Sequence, residues 1–91
     1  MSREANAPKI EFPAPNYPIR VIGDNEPDFK GMVVEIVQIH APDLEIDRVS
    51  VQESGAGNYC SVRLSITATS KEQLERLNRD LRATGRVKMV L

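Results

Sequence analysis

The order of amphipathic segments predicts an α+β sandwich, β-α-β-β-α-β, with a four-stranded antiparallel sheet and two helices on one face. Three observations carry this prediction. Cys60, Val62, Leu64, Ile66 and Ala68 alternate with Tyr59, Ser61, Arg63, Ser65 and Thr67, which makes a long strand apolar on one side only. Phe29, Met32, Val33, Ile36, Val37 and His40 recur at three- and four-residue spacing, one face of a helix. Leu74, Leu77 and Leu81 repeat that spacing after Ser70, an N-cap with Gln73 placed to complete a capping box.

Each element follows from local chemistry. Residues 1–16 hold Pro8, Pro13 and Pro15 and few apolar side chains, so they read as a flexible N-terminal arm ahead of one domain at residues 17–91. Ile10 and Phe12 are the arm's candidates for docking on that domain. Tyr17 to Gly23 is the first strand, with Ile19 and Val21 toward the core and Arg20 and Ile22 away. Asn25 or Glu26 caps the first helix, and Pro27 takes its first position, where a missing N–H costs nothing. Glu26 and Asp28 suit the positive end of its dipole. The helix runs to about His40, and Pro42 stops it. Gly31 weakens its first turn by roughly 1 kcal/mol relative to alanine and leaves room for close packing.

Arg48 to Glu53 is the second strand, with Val49 and Val51 inward. Residues 54–58, with Gly55 and Gly57, are a hairpin loop, and the third strand runs from Asn58 to Thr69. In the second helix, Glu72–Arg76 and Glu75–Arg79 stand at the supportive i,i+4 spacing, and Gly85 is the stop. Val87 to Leu91 is the last strand, with Val87, Met89 and Leu91 inward and Lys88 and Val90 outward. Right-handed crossovers arrange two such β-α-β units as a ferredoxin-like sandwich.

Ninety-one residues make a single domain with one core. No apolar run approaches a membrane span, and the N-terminus lacks the apolar core of a secretory signal, so a cytoplasmic location is expected. One cysteine forms no intrachain disulfide, and with a single histidine it makes a dedicated zinc site improbable. The net charge of −1 conceals an asymmetry. Residues 24–53 carry eight acids against Lys30 and Arg48, while residues 70–91 carry six bases against three acids. Such a division steers a partner or promotes self-association, or simply solvates two helix faces and an edge.

Candidate functional residues are few. His40 suits the negative end of the first helix; general-base catalysis is the alternative, but no nucleophile or acid stands at suggestive spacing. Cys60 lies on the inward face and reads as a small hydrophobe rather than a reactive thiol. The loop around Gly55 and Gly57 lacks the Gly-Lys-Ser/Thr ending of a phosphate loop. The open sheet face carries Arg20, Arg48, Arg63 and Lys88 with Tyr59, besides Ser50, Ser61 and Ser65. One aromatic is thin for stacking bases, so nucleic acid is an unlikely ligand there. A homodimer through this face or through a sheet edge is the other use, since the second strand is flanked by acids and the fourth by Arg86 and Lys88.

Several motifs resemble the YbeD-like family of small bacterial proteins. They are Glu11-Phe12-Pro13, the stretch Ile36-Val37-Gln38-x-His40-Ala41-Pro42, and Gly57-Asn58-Tyr59-x-Ser61-Val62. Ile66-Thr67-Ala68-Thr69 and Val87-x-Met89-Val90-Leu91 complete them, and together they cover nearly the whole chain. The resemblance implies a ferredoxin-like fold similar to ACT regulatory domains, which bind small effectors at domain interfaces. It also implies a link by gene neighbourhood to lipoate attachment, and it supplies no catalytic residues.

The expectation is a non-enzymatic regulatory or interaction domain without metal or cofactor, since no acid–base pair, metal cluster or cofactor fingerprint stands out. Its partner is a small-molecule effector or another protein. Gly23, Asp24 and Asn25, beside the start of the first helix, form the expected ligand corner, because a helix N-terminus offers free N–H groups to a carboxylate. An RNA-binding module using the open face is the alternative.

Overall fold

A computed structural model describes residues 11–54 and 56–91. The chain builds β1 (Ala14–Asp24), α1 (Phe29–His40), a 3-10 turn (Ile46–Arg48), β2 (Ser50–Glu53), β3 (Tyr59–Ala68), α2 (Lys71–Ala83) and β4 (Val87–Val90). The sheet is antiparallel in the order β2-β3-β1-β4, the ferredoxin-like arrangement. The docking candidate Ile10 and the loop residue Gly55 lie outside the described residues.

The core lies between the sheet and the helices. Ile19 and Val21 from β1 and Cys60, Val62, Leu64, Ile66 and Ala68 from β3 meet Phe29, Val33 and Val37 of α1 and Leu77 and Leu81 of α2. The alternation in β3 and both helical stripes therefore bury the face that their period selects. Ala41 and Leu44, in the segment after α1, close the core from the side.

Several boundaries differ from the sequence expectation. β1 begins at Ala14, and its pairing with β3 slips between Ala14 and Tyr17, where Asn16 adopts a positive φ of 57°. α1 begins at Phe29, capped by Asp28 without a side-chain hydrogen bond, so Pro27 lies in the preceding turn rather than at the first helical position. The Phe29 N–H donates to the Glu26 carbonyl, which closes that turn ahead of the helix. Gly31 is exposed and approaches no strand or helix among the described residues. Arg48 and Val49 precede β2, because Arg48 and Val49 donate to the Glu45 and Ile46 carbonyls of the 3-10 turn. Val51 pairs with buried Val62 and so shares the helix-side face, yet it remains 44% exposed because β2 is the outer strand.

The end of α2 matches its signals. Ser70 Oγ accepts from the Gln73 N–H at 3.1 Å, and Gly85 takes a φ of 75° beyond the last turn. The Gln73 side chain, however, accepts from the Thr69 N–H rather than that of Ser70. The pairs Glu72–Arg76 and Glu75–Arg79 do not form; these exposed side chains gain too little to offset the rotamer freedom they would lose.

β4 departs furthest from the expected alternation. Gly23 pairs with Val87, Ile22 with Met89 and Val21 with Val90. Between the first two pairs β1 advances one residue while β4 advances two, which is a β-bulge at Lys88. The bulge turns Val87 and Val90 toward the core and Met89 outward. Leu91 exchanges both backbone hydrogen bonds with Arg20, at 3.0 and 2.8 Å, so it also lies on the open face. The inward placement of Met89 and Leu91 and the outward placement of Val90 are thereby reversed.

Candidate functional site

Register organises the open face into rows across the sheet. Ser50, Arg63, Arg20 and Leu91 form one row from β2 to the end of β4, and Gln52, Ser61, Ile22 and Met89 form the next. Arg20 and Arg63 are direct cross-strand partners. The backbone N–H and C=O of Arg20 both point toward Leu91, so its pairing with Arg63 is of the non-hydrogen-bonded kind, in which side chains lie closest. Like charges opposite one another destabilise a sheet. Among the described residues, neither arginine has an acidic partner within salt-bridge distance.

Arg48 reaches the same region from the 3-10 turn, held loosely by Glu45 at 3.2 Å with both side chains well exposed. A shallow groove of about 440 Å³ is lined by these three arginines with Ser50, Ser65 and Leu91. Three cations, two hydroxyls and an apolar shelf therefore converge on one surface.

The remaining open-face candidates stand apart. Tyr59 is 46% exposed but four residues from Arg63 along β3, roughly 13 Å away at strand rise. It pairs with Asp24, and the Lys88 Nζ lies 4.0 Å from an Asp24 carboxylate oxygen. The structure thus joins Arg20, Arg48 and Arg63 and separates Tyr59 and Lys88 from them. Leu91 and Met89 were missed on this face, since alternation in sequence gives no sign of a bulge.

The Gly23–Asn25 corner is a joint. Gly23 is buried, and a Cβ there would meet the Phe29 ring and the Arg86 carbonyl at 2.5 Å. The Asn25 N–H donates to the Asn58 carbonyl and its side-chain amide to the Gly57 carbonyl, which ties β1 to the hairpin. Glu26 and Asp28 already supply anions beside the positive end of α1, and both are held by Arg86 at 2.6 Å. The hydrogen bond from Arg86 holds the Asp28 carboxyl below the usual carboxylate range, and the two carboxylates keep Arg86 charged.

His40 gains an acid that spacing did not suggest: its Nε2 lies 2.7 Å from Asp80 Oδ2 on α2. Gln73 Nε2 donates to the His40 carbonyl at 2.8 Å, so both groups fasten α1 to α2. Cys60 is buried, and burial followed by the nearby Glu53 charge pushes its thiol pKa up. Among the described residues, no group of three or more His, Cys, Asp or Glu side chains is placed to hold a metal, and no helix is long and apolar enough to cross a membrane.

A family model described as protein of unknown function DUF493 matches residues 7–91. A UPF0250 protein of Pseudomonas aeruginosa is 52% identical over 88 residues, covering 97% of this chain and 95% of the relative. A UPF0250 protein of Azotobacter vinelandii is also 52% identical over 88 residues, covering 97% of this chain and 96% of its own. Among solved structures, protein HP0495 from H. pylori superposes with a TM-score of 0.70 at 15% identity, covering all of this chain and 94% of that one. The ACT domain from GTP pyrophosphokinase of Chlorobium tepidum gives a TM-score of 0.59 at 15% identity, covering 84% of this chain and 96% of that domain. At these identities the two superpositions establish a shared fold.

Proposed function

This chain belongs to the DUF493 family, to which the YbeD-like motifs also pointed, and from that premise we propose a small non-enzymatic regulatory or interaction domain that recognises an anionic group on its open sheet face. One observation carries the reading. Arg20 faces Arg63 across β1 and β3, and among the described residues no acid lies within salt-bridge distance of either. An unpaired like-charge contact opposes folding, and an arriving anion converts it into a pair of charge-assisted hydrogen bonds. The ACT-like architecture supports a regulatory role, because such a domain leaves one sheet face uncovered for recognition.

The same geometry weighs against the alternatives. Nucleic-acid sheets stack bases beside their cations, whereas Tyr59 sits at the far end of β3 opposite an acid. A face-to-face homodimer would set the arginine surfaces of two copies against each other. Pairing of two copies through the outer strand β2 leaves the open face free and is compatible with this function.

The test is a thermal-shift screen against anionic metabolites, lipoyl compounds and short RNAs, run on the wild-type chain and on Arg63→Glu. Specific binding to the native state raises the melting temperature by mass action. The expected outcome is a shift with an anion that falls with added salt and vanishes in Arg63→Glu. A shift of equal size in wild type and Arg63→Glu would reject the open face as the recognition surface.

A further inference from the structure

We infer that the open-face groove is a phosphoryl site, in which Arg20 and Arg63 take the phosphate monoester of a small molecule and Arg48, Ser50 and Ser65 complete the donor set. The inference rests on the anion-recognition reading above and specifies its ligand. Two features select the class. Arg20 and Arg63 are direct cross-strand partners lining one groove, so two positive charges border the site, and a monoanion neutralises only one of them. A phosphate monoester carries close to two negative charges at neutral pH and three strong acceptor oxygens. Guanidinium forks match those oxygens bidentately, and hydroxyls at Ser50 and Ser65 add neutral donors within the same groove.

The volume of about 440 Å³ suits a compact molecule rather than a polymer. The apolar side of the groove defines the rest of the ligand. Leu91 is 60% exposed beside Arg20, and Met89 is 46% exposed in the neighbouring row. Both are large apolar side chains left exposed by the described residues. A carbon skeleton attached to the phosphate would lie across them and bury that surface.

The experiment is an amide and arginine Nε–H NMR titration of the full chain at constant ionic strength, with phenyl phosphate, inorganic phosphate and citrate as separate probes. The expected result is saturable shifts at Arg20, Ser50, Arg63 and Ser65 with phenyl phosphate. Phenyl phosphate should bind about tenfold more tightly than inorganic phosphate, the factor given by burying ~55 Å² of apolar surface at about 25 cal/mol per Å². Its affinity should fall as pH drops through the second phosphate ionisation near 6. Arg63→Gln, which removes a repulsive contact and so remains folded, should weaken binding by about 10- to 100-fold. It should also melt at a higher temperature than wild type in phosphate-free buffer. Shifts with citrate at these residues and none with phenyl phosphate would overturn the phosphoryl assignment and leave anion recognition standing. No saturable shift with any of the three would overturn both. Equal affinity for phenyl phosphate in wild type and Arg63→Gln would likewise overturn the site.

Discussion

The guanidinium of Arg86 holds the carboxylate of Asp28 through two N–H donors, at 2.6 and 3.2 Å, across 58 residues of sequence. The same guanidinium donates to Glu26 at 2.9 Å from Nε. One side chain from the α2–β4 connection thereby closes the start of α1, and the acidic and basic segments of the chain meet at the surface.

This clamp makes an acid-dependent contribution to stability. The Asp28 carboxyl titrates below its ordinary value in the folded chain, so the unfolded chain binds more protons in that range. The contribution is present above the ordinary carboxylate pKa of about 3.9 and is lost as pH falls through the depressed value. Asp28→Asn should therefore lower the melting temperature at pH 6 and show a flatter decline over the acid interval below about pH 4. Melting curves of the two proteins across that interval check it, and parallel pH profiles would refute it.

Gly23 admits no side chain. An added Cβ would lie 2.5 Å from the Phe29 ring and from the backbone carbonyl of Arg86. The ring is fully buried and the carbonyl belongs to the main chain, so neither yields easily. Gly23→Ala should destabilise the fold by about 3 kcal/mol, at the upper end for overpacking. Chemical denaturation measures this, and a loss below ~1 kcal/mol would show that the β1–α1 junction relaxes freely.

Gln73 serves two elements at once. Its side chain accepts from the Thr69 N–H and donates to the His40 carbonyl, both at 2.8 Å. Gln73→Ala leaves the part-buried His40 carbonyl and the exposed Thr69 N–H without their side-chain partner and should cost about 2 kcal/mol. Ser70→Ala, which removes one capping bond, should cost about 1 kcal/mol. Equilibrium unfolding of both variants tests the order, and a reversed order would remove Gln73 as the fastener between the helices.

Cys60 should resist alkylation in the folded protein. The residue is 2% exposed and its thiol pKa is raised by burial, so little thiolate is available to react. Labelling by iodoacetamide at pH 8 should proceed at the rate at which the chain opens and accelerate sharply in denaturant. Rapid labelling without denaturant would contradict the packing seen around β3.

Much of this architecture is written locally. The two-residue period of β3 and the three- to four-residue stripes of α1 and α2 bury the faces they predict, since side-chain direction is fixed by the backbone once an element forms. The N-cap at Ser70 and the stop at Gly85 depend only on neighbours within one turn. The cap of α1 was less legible: Asn25, Glu26 and Asp28 all suit an N-terminus, and their tertiary partners, Gly57, Asn58 and Arg86, distinguish among them. The acid facing His40 was hidden for the same reason, because Asp80 is distant in sequence and close in space.

Element order, the buried faces of β3 and the helices, and the presence of arginines on an uncovered sheet face are all readable along the chain. Those features follow from periodicity and from polar side chains that cannot enter a core. Which of those arginines meet is set only when the strands pack. Pairing of β1 with β3 sets Arg20 opposite Arg63, a register that strands at separate points of the chain fix only when they pack. Tertiary packing also decides the apolar border of the groove. One extra residue at Lys88 reverses the faces of Met89, Val90 and Leu91, and a bulge arises from the fit between two strands rather than from the alternation of either one.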